Sequence, residues 1–390
     1  MKDLSFLVIV ILFLTGCNNG EGNVRSHSGI IDSSAYYLCA PPAPLTTNEY
    51  QYYHNIAKHF FDSLLPEHSF NGGILVARKG NIVFEEYRGF TNPVSKTDSL
   101  TSESAFHLAS VSKTFTAMAI LKLWEEGKLD INDTISKFFI DFPYPGVTVK
   151  MLLNHRSGLP NYVHYLEKYK WDKKKLVSNS DILNSLYVMR PPLQSTVGKR
   201  FSYCNTNYAL LALIVETVSG VSYKTFLENT FFKPLQMTHT YVFTPEDEPT
   251  SMPSFEWNNR KFNFDFLDAV YGDKNVYSTA QDVLKWDQAL YAGKLFTQKT
   301  LDSAFMPYSF EKPGKRNYGL GWRMTFLDNG KKILYHNGWW HGNNAVFIRL
   351  LDEQMTIIVL SNKFNLRVYK TRQICNQLGN YSMDDEAGVQ

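Results

Sequence analysis

Apolar residues between positions 49 and 65 recur every three to four residues. This spacing puts them on one face of an amphipathic helix, and Pro66 ends that helix because proline cannot continue it. Two β-rich runs follow at 73–77 and 82–87, around a polar turn at 78–81. The pattern predicts a β-hairpin that begins the fold at the edge of a sheet.

The middle of the chain, from about residue 106 to 267, has mostly helical patterning. Its apolar stretch at 209–218 indicates a buried helix. Gly127 and Gly220 are the predicted helix stops, because glycine readily adopts the conformation that follows a helix.

Strand patterns return near the end of the chain, at 333–336, 345–351 and 356–360, separated by glycine, asparagine and aspartate. These runs predict an antiparallel meander, and a last helix is expected at 367–378. Strands from both termini with helices between them predict the α/β (α+β) fold class. In this class one antiparallel sheet is flanked by helices, and a mostly helical lobe is inserted into it.

We therefore expect one catalytic domain at 46–380. Its sheet lobe would comprise about 46–105 and 268–380, and its helical lobe about 106–267, with a tail at 381–390. A cleft between the two lobes is the expected place for a site.

The first 16 residues contain a lysine at position 2, an apolar run at 4–14 and then small residues, which is typical of a secretory signal. The run is about half of the roughly 20 residues that a membrane-spanning helix needs, so a permanent span is the weaker interpretation. The junction L-T-G-C at 14–17 resembles a bacterial lipobox, which implies a lipid on Cys17 and a tether at 17–45. The alternative is an ordinary signal peptide with an incidental cysteine. We expect an exported protein, lipid-anchored to a bacterial membrane at its periplasmic or cell-surface face.

Hydrophobic residues make up 44% of the chain and charged residues 20%, which is typical of a globular protein. The formal charge of +3 is small for 390 residues, so nucleic acid is not an expected partner. Besides Cys17, the cysteines are Cys39, Cys204 and Cys375, so at most one internal disulfide can form, and the pairing of Cys39 with Cys375 stays open. Because no C-x-x-C pair occurs, the sequence supplies no zinc ligand set.

The motif S-V-S-K at 110–113 opens the most apolar helical run of the chain. With Ser110 in the first turn, Lys113 lies one turn on and on the same face, within reach of the hydroxyl. The helix N-terminus also favours negative charge at the serine. The same spacing occurs at Ser309 and Lys312, but a proline and a glycine follow directly and cannot continue a helix. The alternative for Ser110 is a capping serine with a surface lysine, although burying that lysine without a purpose would be costly.

Two further short motifs are Y-C-N at 203–205 and H-N-G at 336–338. Neither is specific alone, since the first pattern also occurs at Tyr53 and the second at His27. Those copies fall in a terminal amphipathic helix and in the tether, so position selects the pair at 203–205 and 336–338. We interpret His155 as a structural, hydrogen-bonded residue.

Longer stretches around these motifs resemble the class C β-lactamase, serine DD-peptidase and related esterase family over nearly all of residues 50–380. The stretches are F-H-L-A-S-V-S-K-T at 106–114, H-R-S-G-L-P at 155–160, F-S-Y-C-N-T-N-Y-A-L-L at 201–211, V-Y-S-T-A-Q-D at 276–282, Y-G-L-G-W at 318–322 and I-I-V-L-S-N at 357–362. The resemblance implies a β-lactamase/transpeptidase-like fold and an acyl-transfer hydrolase that needs neither metal nor organic cofactor.

Carried over position by position, the resemblance makes Ser110 the nucleophile, and Lys113 and Tyr203 the pair that handles its proton. An ammonium at Lys113 would favour an anionic phenol. Asn205 would orient the substrate amide. The backbone N–H groups of Ser110 and Trp339 would form the oxyanion hole.

The third motif departs from the Lys-Thr-Gly of many β-lactamases in this family, because it has His336 in the first position. Gly338 would still permit close approach of the strand. We expect His336 to line the pocket and to pair with a substrate carboxylate only when protonated. The predicted substrates are D-amino-acid peptides, as for a D-Ala-D-Ala carboxypeptidase, or small esters. A β-lactamase and a non-catalytic lipoprotein that binds peptidoglycan fragments are the alternatives.

Overall fold

The computed structural model describes residues 42–381 apart from 292, 294, 312 and 313. The predicted signal, the lipid on Cys17, the partner cysteine Cys39 and most of the tether lie outside the described residues. These expectations therefore stay predictions.

Most strands of the described chain belong to one large sheet. The strands are β1 (Gly72–Arg78), β2 (Asn81–Arg88), β3 (Phe90–Asn92), β4 (Thr97–Ser99), β5 (Phe106–His107), β6 (Tyr241–Val242), β7 (Val276–Ser278), β8 (Arg316–Tyr318), β9 (Arg323–Phe326), β10 (Lys332–Trp340), β11 (Asn343–Leu350) and β12 (Met355–Ser361). Seven of them form an antiparallel sheet in the order β2-β1-β12-β11-β10-β9-β8. Strands from both ends of the chain thus meet in one sheet, and the predicted fold class, edge hairpin and meander are confirmed.

Helices cover both faces of this sheet. They are α1 (Thr47–Leu64), α2 (Ser112–Glu125), α3 (Val149–Leu153), α4 (Tyr162–Lys168), α5 (Asn179–Met189), α6 (Asn205–Ser219), α7 (Tyr223–Leu227), α8 (Ala280–Tyr291), α9 (Gln298–Ala304) and α10 (Cys375–Gly379). The helix stops expected at Gly127 and Gly220 are confirmed, since both glycines have positive φ just past the ends of α2 and α6. The last helix was predicted as one element at 367–378, but it is 3₁₀-helical over Leu366–Ile374 and α-helical only at its end.

The sheet separates two hydrophobic cores because side chains alternate between its faces. On β1, Ile74 and Val76 pack towards α1 and the C-terminal helix, whereas Leu75 and Ala77 pack towards α2, α6 and α8. Strand β12 is buried along its whole length. Close packing on both faces keeps the large sheet rigid, so the residues on β10 are held in fixed positions.

The two halves of the chain are also joined by a small sheet of order β5-β7-β6, in which Phe106 pairs with Ser278. Strand β5 leads directly into the Ser110 segment, which therefore lies where the helical region meets the large sheet. The predicted lobe boundaries stay predictions. In the part of the chain that the structure describes, no single helix is long and apolar enough to cross a membrane; Asn205–Ser219 and Tyr223–Phe232 pass that test only as a pair bent by 76°.

Candidate active site

Ser110 lies in a 3₁₀ turn, Ala109–Val111, directly before α2. The sequence predicted Ser110 in the first turn of α2. This prediction is wrong, because α2 begins only at Ser112. Ala109 has a φ of 47°, a left-handed conformation that is unfavourable for a residue with a Cβ. The strained turn directs the chain sharply from β5 into α2. The competing serine, Ser309, lies in an irregular segment, and Lys312 is outside the described residues.

Lys113 is completely buried, yet its ammonium has two hydrogen-bond acceptors. Nζ donates to Ser110 Oγ at 3.1 Å and to the Asp273 carbonyl oxygen at 2.7 Å. These bonds offset part of the cost of burying the charge. The ammonium is therefore held in contact with the serine hydroxyl rather than at the surface.

Tyr203 lies just before α6, and its ring is close to a cation and to an imidazole. Lys113 Nζ is 5.1 Å from the ring centroid, and the His155 ring is 4.3 Å away on centroids. His155 Nδ1 accepts the Cys204 N–H at 3.2 Å, and burial, followed by the charge of Lys113, holds the pKa of His155 well below its usual value. The predicted structural, hydrogen-bonded role of His155 is confirmed, and this neutral imidazole fixes the chain next to Tyr203.

Asn205 begins α6 beside Tyr203. Its side-chain carbonyl oxygen Oδ1 is buried and has no hydrogen-bond partner within the described residues. Such an orphan acceptor is costly unless a ligand supplies a donor. Asn205 is therefore suited to bind an amide N–H, as the resemblance implies.

His336 does not fit the role of a carboxylate-binding switch. It is completely buried, its Nδ1–H donates to the Asn337 carbonyl oxygen at 2.8 Å, and its Nε2 accepts from the Tyr318 hydroxyl at 3.2 Å. Burial, and then the charges of Arg323 and Lys113, hold the pKa of His336 well below the usual 6.5. The expected pairing with a carboxylate needs a protonated imidazole, and this form is disfavoured here because the ring is buried and both of its nitrogens are occupied.

Arg323 supplies the charge that His336 lacks, and the sequence analysis missed it. This arginine is on β9 opposite Tyr335, and its guanidinium carbon is 4.9 Å from the centroid of the Tyr203 ring. Burial lowers the pKa of Arg323, but the neighbouring Tyr203 and other phenols outweigh burial and raise it. The guanidinium therefore stays charged over the whole physiological range, at one end of the site.

Gly338 lies on β10 where the strand passes the Ser110 turn. A Cβ at this position would be 2.2 Å from the Leu108 carbonyl oxygen and 3.1 Å from the Ala109 Cβ. The pairing of β10 with β9 ends at Tyr335, so the β10 edge beyond it is free to face the site. Only glycine allows this strand to approach the serine turn so closely, which places the Trp339 backbone at the site.

Two buried residues tie the serine turn to the segment that holds Lys113. His107 Nδ1 accepts the Ala109 N–H at 3.2 Å, and its Nε2–H donates to Asn275 Oδ1 at 3.0 Å. Burial lowers the pKa of His107 to about 4, so it is neutral. Asn275 is two residues from Asp273, whose carbonyl binds Lys113. The motif at 106–114 contained His107, but only the fold reveals this link.

The described residues thus bring together a serine hydroxyl, a buried ammonium, a phenol and a guanidinium. Lys113 and Arg323 make the site positively charged, which favours anionic substrates and developing negative charge. No group of three or more His, Cys, Asp or Glu side chains that could hold a metal ion occurs among these residues. The arrangement can perform proton transfer and nucleophilic attack with side chains alone.

The comparisons with known proteins agree with this chemistry. The sequence model of the Beta-lactamase family matches residues 57–374. A penicillin-binding protein of Bacillus subtilis (strain 168) is 33% identical over 328 residues, which cover 79% of this chain and 72% of the relative. The chain belongs to the Beta-lactamase family, and it is a serine hydrolase of the kind that includes the penicillin-binding proteins.

Solved structures show the same fold. A penicillin-binding protein from Bacillus halodurans matches with a TM-score of 0.71 at 24% identity, covering 81% of this chain and 98% of the other. The D-amino acid amidase of Ochrobactrum anthropi SV3, complexed with L-phenylalanine, matches with a TM-score of 0.68 at 20% identity, covering 83% and 96%. At these identities the likeness concerns the fold alone.

Proposed function

We propose that the chain hydrolyses D-amino-acid peptides that end in a free carboxylate, as a D-Ala-D-Ala carboxypeptidase does, through an acyl-enzyme on Ser110. The observation that carries the proposal is the charged Arg323 guanidinium beside Tyr203, 4.9 Å from its ring. A substrate carboxylate bound there would place the preceding amide next to Ser110. The Bacillus subtilis relative, a penicillin-binding protein, supports a ligand of this kind, since penicillin also carries a free carboxylate.

In the proposed reaction, Ser110 Oγ attacks the carbonyl carbon of the scissile amide. Its proton passes to the Tyr203 phenolate of the Lys113–Tyr203 pair, because the Lys113 ammonium already donates to Oγ at 3.1 Å and cannot accept a proton. The oxyanion is stabilised by the backbone N–H groups of Ser110 and Trp339. The C–N bond then breaks, and the leaving amine takes the proton from the same pair.

Water completes the cycle by attacking the ester carbon of acyl-Ser110. The Lys113–Tyr203 pair accepts a proton from this water and returns one to Ser110 Oγ, so that the acid is released and the enzyme is restored. Lys113 Nζ and the Arg323 guanidinium carbon are 5.1 Å and 4.9 Å from the centroid of the Tyr203 ring, so both cations are near the phenol that handles the proton. Asn205 Oδ1 would accept the amide N–H of the acyl residue.

The proposal is tested by the substrate profile of the purified protein. The panel is N-acetyl-D-alanyl-D-alanine, its L,L isomer, a p-nitrophenyl ester and a penicillin, each assayed with wild type and Ser110→Ala. We expect hydrolysis of the D,D peptide above the L,L isomer and loss of it in Ser110→Ala. Turnover of the ester alone would favour an esterase, and turnover of penicillin above the peptide would favour a β-lactamase.

A further inference from the structure

A second lysine is buried beside the site, and the proposed reaction does not use it. Lys274 is 2% exposed and directly follows Asp273, whose carbonyl oxygen accepts the hydrogen bond from Lys113. Burial lowers the pKa of Lys274, and the negative charges of Asp273 and Asp268 counteract this shift. Burying a lysine is costly unless its contacts compensate for the lost water. The contacts that Lys274 makes therefore indicate its role.

Lys274 belongs to a buried network with Tyr162 and Asp273. Its Nζ donates to the Tyr162 hydroxyl at 2.6 Å, and this hydroxyl donates to Asp273 Oδ2 at 2.8 Å. Asp273 Oδ1 is 3.7 Å from Lys274 Nζ, so the carboxylate also provides a counter-charge for the amine. Because Tyr162 begins α4, the network fastens the segment around Asp273 to the helical part of the protein.

This segment, residues 272–276, forms a turn that is bound to α2 (Ser112–Glu125). Its backbone has positive φ at Gly272 and at Asn275, and such a conformation persists only when its surroundings hold it in place. Three side chains of α2 bind the turn: Lys113 donates to the Asp273 carbonyl at 2.7 Å, Thr116 Oγ1 donates to the Gly272 carbonyl at 2.6 Å, and Ser112 Oγ accepts the Val276 N–H at 3.0 Å. The position of the Lys113 ammonium therefore depends on the position of the 272–276 turn.

Lys274 also joins the 272–276 turn to strand β10. Its Nζ is 4.7 Å from the centroid of the Trp340 ring, which is a cation–π contact. Trp340 directly follows Trp339, whose backbone N–H is proposed for the oxyanion hole. One side chain thus contacts the turn that binds Lys113 and the strand that carries the oxyanion donor.

We propose that Lys274 is a positioning residue for the acylation of Ser110. Together with Tyr162 it fixes the 272–276 turn against β10, so that the Lys113 ammonium and the Trp339 N–H keep their places around the serine hydroxyl. The inference rests on the proposed function, because it takes Ser110 as the nucleophile. It does not depend on which acyl donor the enzyme prefers.

The first experiment uses Tyr162→Phe, which removes the hydroxyl between Lys274 and Asp273 but keeps the ring. A fluorophosphonate labels Ser110, and the maximal rate constant of labelling is measured separately from the half-saturating concentration. We expect the maximal rate constant to fall about tenfold and the half-saturating concentration to stay unchanged, because the geometry of the reacting groups is disturbed while the binding surface is not.

Tyr165→Phe is the matched control for this experiment. Tyr165 is also buried on α4, and its hydroxyl is 2.7 Å from Ser185 Oγ. This variant loses a buried hydroxyl as well, but it should label at the wild-type rate. A merely structural role can be recognised, since loss of folded protein lowers the melting temperature and the final labelled fraction but leaves the rate constant of the folded molecules unchanged.

The second experiment changes Lys274 itself, in a double variant with Lys274→Met and Asp273→Asn. Both charges are removed together, so neither is left buried and unpaired, and the amide oxygen at position 273 can still accept from the Tyr162 hydroxyl. We expect the maximal rate constant of labelling to fall about tenfold here too, again at an unchanged half-saturating concentration.

Wild-type rate constants in both folded variants, an equal loss of rate in Tyr165→Phe, or a change in the half-saturating concentration alone would overturn the positioning role. The two proposals can fail separately, because the fluorophosphonate contains no amino acid. A selective loss of labelling rate in a protein that does not hydrolyse N-acetyl-D-alanyl-D-alanine would support the role of Lys274 and overturn the proposed function instead.

Discussion

Gly338 lies so close to Leu108 that a Cβ on the glycine would be 2.2 Å from the Leu108 carbonyl oxygen. Glycine is required at position 338 because a side chain would not fit there. An unusual backbone conformation is not the reason, since Gly338 is not among the glycines with positive φ. We predict that Gly338→Ala moves β10 away from the serine turn and slows acylation of Ser110 about a hundredfold. The rate of fluorophosphonate labelling measures this effect, and the melting temperature shows whether the variant is folded. A folded variant with an unchanged rate would contradict the close approach.

Local sequence patterns were sufficient to predict the first helix and the long strands of the large sheet. Helix α1 (Thr47–Leu64) begins at a capping box of Thr46 and Glu49, and the long strands β10 to β12 each contain a run of β-branched, aliphatic or aromatic residues. Strands β8 and β9 were missed because they are three and four residues long, and a run of that length carries no readable period. The 3₁₀ character of Leu366–Ile374 was also missed, since α and 3₁₀ helices share similar patterns.

Some site residues could not be predicted from the sequence, because strand pairing between distant segments brings them to the site. Arg323 matters because the register of β9 places it opposite Tyr335, close to Tyr203. The low pKa of His336 could not be predicted for the same reason, since the burial of this residue and its contact with Tyr318 depend on tertiary packing. A motif identifies a position on the chain, but the charge of a titratable group depends on its surroundings.

The free energy of unfolding should fall steeply below pH 6.5. Burial lowers the folded-state pKa of His107 to about 4 and those of His155 and His336 well below 6.5. The unfolded chain therefore binds more protons than the folded protein in this range, so stability is lost as pH falls. His107 alone contributes roughly 3 kcal/mol between pH 6.5 and 4. Urea unfolding of wild type and His107→Gln is measured at pH 7, 5.5 and 4.5. The free energy of unfolding should fall less steeply with falling pH in the variant than in wild type. His59→Gln, at an exposed histidine, should keep the wild-type slope.

Arg323 should determine the preference for carboxylate-bearing substrates. We predict that Arg323→Gln lowers kcat/KM for N-acetyl-D-alanyl-D-alanine about a hundredfold more than for its methyl ester, because a buried charge pair is lost. In wild type the ratio of the two kcat/KM values should be flat from pH 6 to 8, since the pKa of Arg323 is raised and His336 stays neutral. Arg260→Gln, at an exposed arginine, is the control. A ratio that falls with pH through 6.5 would restore the switch role of His336.

Cys17 is the proposed site of a lipid anchor, given the short apolar run at 4–14 and the lipobox-like junction. We predict that the full-length protein expressed in a bacterium incorporates radiolabelled fatty acid and fractionates with membranes. Cys17→Ser should remove both properties, while Cys375→Ser, at a buried thiol, should keep the label. Incorporation in Cys17→Ser equal to that of wild type would contradict the anchor.

The most direct test of the account is the identity of the residue that becomes acylated. Lys113 Nζ contacts Ser110 Oγ at 3.1 Å, and α2 follows that serine, whereas Ser309 lies in an irregular segment. Intact-protein mass spectrometry after exposure to a fluorophosphonate or a penicillin, followed by peptide mapping, should find one adduct on Ser110. Ser110→Ala should show no adduct and no turnover, and Ser309→Ala should behave as wild type. An adduct retained in Ser110→Ala would contradict the assignment of the nucleophile.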